Sequence, residues 1–182
     1  MLLLNISIDE KSDKIIRLQA QRNLSLMFRK GSVVRLSLKN QVFANMLAFC
    51  AKNYRGSSHS IMFKLKMLSL AFTLPDICDF VIRLNSKLPV ELIDILCITR
   101  NNREALGDNI NAMKHYSENI ALLEFLKPVD KVIILVELTK EVKSQRLRKD
   151  LAVILKNFDR NVEISALLKE TDARKLISAA TN

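Results

Sequence analysis

Tryptophan is absent from this chain, and glycine, proline and cysteine each occur three times among 182 residues. Tyrosine and histidine occur twice each. A strand-rich fold needs a turn signal roughly every 8–12 residues, and so few turn-formers do not supply one. Three scattered glycines cannot build a G-x-G-x-x-G or Walker phosphate loop. Cys50, Cys78 and Cys97, an odd number in apolar segments, read as buried free thiols of a reducing, cytoplasmic compartment. No apolar run approaches the roughly 20 residues of a membrane span. The apolar opening Met1–Ile8 is too short for a signal peptide and has no basic leader.

Acid is missing more locally. After Asp13 the next carboxylate is Asp76, so the 62 residues from Lys14 to Pro75 hold eleven bases and no Asp or Glu. A surface helix normally mixes both signs to gain pairs one turn apart, so an anionic partner is expected to supply the counter-charge. The formal charge of +10 divides into +9 for residues 1–74, −3 for 75–130 and +4 for 131–182. A basic surface and an acidic one can pair head to tail between copies as a ring or filament, or pack together inside one monomer.

What is present is helical. Hydrophobic residues make up 49% and charged residues 26%, a globular profile. Ser7 and Glu10 match a capping box, placing a first helix from near Ile8 towards Phe28 with a break at Asn23–Ser25. Gly31 closes it and Ser32 caps a second helix, Val33 to Tyr54, with Phe43, Met46, Leu47, Cys50 and Tyr54 on its core stripe. A third, about His59 to Thr73, is apolar nearly all round and reads as a buried centre, which removes Lys64 and Lys66 from the candidate site. Leu74-Pro75 and Leu88-Pro89 open two short helices with acids in their first turns. Beyond that opening the two differ and are not read as a repeat.

The polar run Thr99–Glu104, closing at Gly107, marks a boundary between a basic N-terminal helical subdomain, residues 1–100, and a C-terminal one, 101–182. Asp108 is expected to cap the next helix. Lys127-Pro128 forces a turn, and two helices bend near Lys143–Arg146. A pair at about Val162–Lys169 and Asp172–Ala180, with Thr171 as a cap, completes the chain. The expected fold is an all-α multi-helix bundle of about 8–10 helices.

Catalytic chemistry is poorly supplied. His59 and His115 have no Cys or Ser partner in view, and no Cys/His cluster has zinc spacing. Asp76, Asp79, Glu91 and Asp94 read as helix-dipole partners rather than an acid–base pair. A non-enzyme without metal or cofactor is expected. The informative residues are cations and donors at helix junctions: Arg29, Lys30 and Ser32 beside one helix start, Arg35 and Lys39 a turn apart on that helix, and Lys52 and Arg55 at the next junction. Arg22 belongs to the same acid-free stretch, and Lys143 and Arg146 to a second patch, Lys140–Lys149, interrupted by Glu141 and followed by Asp150.

With no tryptophan and no RNP-type strand or zinc finger, such a surface reads phosphate backbone and shape rather than base identity. RNA, double- or single-stranded and bound without sequence preference, is the first expected partner, with self-association into a homo-oligomer. In size, charge, helicity and lack of a catalytic set, the profile resembles small helical RNA-binding proteins of RNA viruses. The silencing suppressors of filamentous plant viruses such as closteroviruses are among them. That resemblance carries no motif, so no residue role is transferred through it. The alternative is a helical adaptor or effector whose basic face meets an acidic protein.

Overall fold

A computed structural model describes residues 11–28 and 58–181 of the chain. Among these the regular structure is helical: α1 (Lys14–Phe28), α2 (Ser58–Ala71), α3 (Pro75–Leu84), α4 (Leu88–Thr99), α5 (Arg103–Glu118), α6 (Val132–Glu141), α7 (Gln145–Phe158), α8 (Val162–Lys169) and α9 (Ala173–Thr181). Two 3-10 segments, Ile120–Phe125 and Val129–Lys131, link α5 to α6. The all-α expectation holds.

Local chemistry sets most of the starts. Asp13 accepts from the amides of Ile15 and Ile16 at 2.8 and 3.3 Å. Asn102, Ser144 and Asn161 accept in the same way from Ala105, Leu147 and Glu163, each closing one of the open donors of a first turn. Pro75 and Pro89 occupy first turns, where a missing N–H costs nothing. Thr171 accepts from Ala173 N at 3.2 Å ahead of α9.

Three expectations are corrected. The first described helix starts at Lys14, after Asp13, and runs without a break through Asn23–Ser25 to Phe28. The Ser7–Glu10 box and the second helix with its stripe lie outside the described residues. Gly107 and Asp108 lie inside α5 rather than at its boundary, because Asn102 caps five residues earlier and Ala105 and Leu106 are already buried. Core burial there outweighs the roughly 1 kcal/mol that a mid-helix glycine costs. Cys97, expected inside, is exposed, whereas Cys78 is buried.

The helices form a row of similar units. The four longer ones, α1, α2, α5 and α7, start at residues 14, 58, 103 and 145, so successive starts are 44, 45 and 42 residues apart. Each packs on the next: α1 on α2, α2 on α5, α5 on α7. The shorter helices between them repeat as well. α3 meets the 3-10 segment Ile120–Phe125, α4 meets α6, and α6 meets α9. Among the described residues, from α2 onward, a unit is therefore one long helix followed by two short ones.

One apolar cluster runs through the row, from Leu24 on α1 to Ala173 on α9, and includes Leu65, Met67 and Leu68 on α2 and Ile110 and Met113 on α5. It crosses residues 100 and 101, where the two subdomains were expected to meet. Lys64 belongs to this buried face, at 4% exposure. At the α5–α7 contact Tyr116 packs edge-on to Phe158, ring centres 6.2 Å apart, and its hydroxyl donates to the Leu122 carbonyl at 2.8 Å. Buried Asn109 donates from Nδ2 to the Leu92 carbonyl at 2.8 Å, tying α5 to α4.

Burial, then the nearby Asp79 and Glu118 carboxylates, push the Cys78 thiol up from 9.0 to about 12. Burial pushes the Tyr116 hydroxyl up as well. The folded chain holds both protons longer than the unfolded one. The stability this contributes is complete below the ordinary thiol value and is lost as pH climbs from 9.0 towards about 12. Urea midpoints measured across that range should fall, and fall less steeply for Cys78→Ala. Tyr116→Phe leaves the Leu122 carbonyl without its donor and should cost about 1–2 kcal/mol in the same assay at neutral pH.

Candidate interaction groove

The long helices expose one ridge each, and polar side chains tie these ridges together. Lys66 on α2 reaches two acids a turn apart on α5, with Nζ 3.5 Å from Glu104 Oε1 and 3.6 Å from Asp108 Oδ2. Asn111 Nδ2 donates to Ser69 Oγ at 2.8 Å. On the other side of α5, Lys114 Nζ donates to Asp150 Oδ1 at 2.7 Å and Asn157 Nδ2 to Ser117 Oγ at 3.0 Å. In both pairs of helices the partner number climbs as the α5 number climbs. α2, α5 and α7 therefore run parallel.

Two depressions lie along these ridges. One of about 410 Å³ is walled by α1, α2 and the start of α5, and includes Leu18, Arg22, Met62 and Lys66. The other, about 600 Å³, spans α2, α5 and α7 across Ser69, Gly107, Asn111 and Arg146. Lys66, Glu104 and Asp108 border both, so the two form one groove. A third depression of about 700 Å³ opens beyond it, between the ends of α4 and α6 and the starts of α5 and α7.

Of the residues expected to bind, the structure describes three. Arg22 is exposed on α1 and lines the groove at one end. Arg146 lines it at the other. Lys143 lies in the third depression beside Arg100 and Arg103. Arg29, Lys30, Ser32, Arg35, Lys39, Lys52 and Arg55 lie outside the described residues. Lys66, set aside as part of a core helix, is a groove residue after all. The angle of about 200° between neighbours two positions apart sends Lys64 inward and Lys66 outward. Arg100 and Arg103 sit in a segment read only as a boundary. Their signal was a pair of bases flanking a capping Asn.

The second patch separates into distinct roles. Lys140 pairs with Glu137 at 3.0 Å and with Asp172 at 3.6 Å, and these neighbours hold its ammonium pKa up. Arg148 donates to the Val142 carbonyl at 2.9 Å, closing the α6–α7 corner. Asp150 reaches across to α5 rather than along its own helix. The four acids near the two prolines also have local places. Asp79 pairs with Arg83 at 3.0 Å and Asp94 with Lys131 at 2.6 Å. Glu91 accepts from Asn85, and Asp76 sits in the first turn of α3. Among the described residues no group of three or more His, Cys, Asp or Glu side chains could hold a metal, and no helix is long and apolar enough to cross a membrane. His115 Nδ1 lies 3.3 Å from Glu118 Oε2.

No protein-family model and no curated protein matches the chain. Among solved structures it is similar to a designed armadillo repeat protein, with a TM-score of 0.67 over 99% of this chain and 69% of that one, at 12% sequence identity. The fold is armadillo-like. Units of about 40–47 residues built from two or three helices define that architecture, and the spacing of the long helices matches it.

Gly107 lies in the groove wall, and a β-carbon built there would meet Leu147 Cδ2 at 3.9 Å, an ordinary contact. Gly107→Ala should therefore stabilise the chain by about 0.5–1 kcal/mol, read as a raised urea midpoint.

Proposed function

We propose that this chain is a non-enzymatic helical-repeat interaction module that holds an extended stretch of another polypeptide along the groove over α1, α2, α5 and α7. Stacked helical units of this kind present extended binding surfaces by their construction. The observation that carries the reading is the mixed sign of the groove. Arg22, Lys66, Arg103 and Arg146 line it together with Glu104, Asp108 and Asp150. A peptide offers donors, acceptors and side chains of either sign at short intervals and suits such a wall. A phosphate backbone would meet three carboxylates along it.

RNA binding is the competing reading, and what favours it is the acid-free run Lys14–Pro75. Within the described part of that run, Lys64 is buried and Lys66 has its counter-charge from α5. The same contact joins the basic first part to the acidic middle inside one chain, which supports intrachain pairing of the charges over a ring or filament.

Selection from a displayed library of random peptides tests the proposal, with labelled single- and double-stranded RNA titrated in parallel at about 100 mM salt. Enriched peptides should bind the intact chain and lose about tenfold or more in affinity to Asn111→Arg, which fills the groove, while the thermal transition persists. RNA affinity without any peptide enrichment would replace this reading with the nucleic-acid one.

A further inference from the structure

The third depression differs from the groove it adjoins. Arg100, Arg103 and Lys143 line it, and Arg103, Ser144 and Leu147 are shared with the groove, where Arg146 follows. Among the described residues none of these four cations has an ion pair, whereas Lys66, Lys114, Lys131 and Lys140 each have at least one. Glu141 is the one carboxylate among the residues lining the depression. Three bases thus line one opening with a single acid beside them, and Arg146 stands next to it in the groove, in a chain of net charge +10.

Its floor is apolar. Leu106, Leu138 and Leu147, from α5, α6 and α7, line it with Val142 of the α6–α7 corner. The first turns of α5 and α7, helices of 16 and 14 residues, open onto the same space and add the positive ends of their dipoles. Arg148, bonded to the Val142 carbonyl, holds the corner that carries Lys143.

A cationic rim over an aliphatic floor recognises an apolar side chain flanked by carboxylates. We infer that this depression captures an acidic segment of a partner polypeptide, seating a leucine-like side chain on the floor with Asp or Glu residues against Arg100, Arg103 and Lys143. The inference rests on the reading of the chain as a polypeptide-binding module and names the class of partner. A phosphate backbone satisfies the rim but leaves the floor unused, so the observations favour the peptide.

The probe is a fluorescein-labelled peptide of Glu and Asp around one central leucine, titrated into the full chain at about 100 mM salt by anisotropy. It should bind, and replacing its leucine by serine should weaken it several-fold. The combined variant Arg100→Gln and Lys143→Gln, which alters the depression and leaves the groove lining intact, should weaken it several-fold. Both side chains are exposed, and circular dichroism checks that the variant folds. Unchanged binding by this variant, indifference to the leucine, or tighter binding of polyuridine RNA lost in the same variant would each overturn the inference. If library-selected peptides respond to Asn111→Arg but not to the Arg100→Gln, Lys143→Gln variant, the groove reading stands and the cavity inference falls. Loss of library enrichment, with leucine-dependent acidic-peptide binding intact, removes the groove reading alone.

Discussion

The arrangement depends on α5 being packed from both sides. Its inner face gives Ile110, Met113 and Tyr116 to the common core, and its flanks bond to α2 through Asn111 and to α7 through Lys114. Removing either neighbour would expose that face, since no single unit of one long and two short helices can bury its own apolar surface. Stability in such a row is close to a sum of unit and neighbour terms. The Tyr116–Phe158 contact and the Asn109–Leu92 bond are therefore junctions between units rather than ornaments within one.

Much of this helical content was legible in advance because local rules and burial agree. The proline-opened helices, the bend before Gln145 and the cap at Thr171 follow from residues that act within one turn. The start of α5 was misjudged because Gly107 outweighed Asn102 in a local reading, and only the burial of Ala105 and Leu106 and the bond from Asn109 to Leu92 show the helix already formed there. The repeat was illegible for a different reason. Its units share spacing and burial but few residues, and the middle unit uses a 3-10 segment where its neighbours use α-helices.

The site was less legible than the fold. A sequence count of charges cannot tell which bases are answered by acids from a distant helix. Lys66 and Glu104 are far apart in the chain yet share one ion pair, as do Lys114 and Asp150. What distinguishes Arg100, Arg103 and Lys143 is that the folded chain brings them to one opening without such answers. Neither density of charge nor spacing along the sequence reports that.

Parallel packing gives the groove a direction. The α5 and α7 residues that line it, from Arg103 to Asn111 and from Arg146 to Asp150, come from the leading parts of two helices that point the same way. The dipoles of those helices add rather than cancel. A strand has a polarity of its own, so turning it end for end is not an equivalent fit. The molecule has a sense of left and right before any partner arrives.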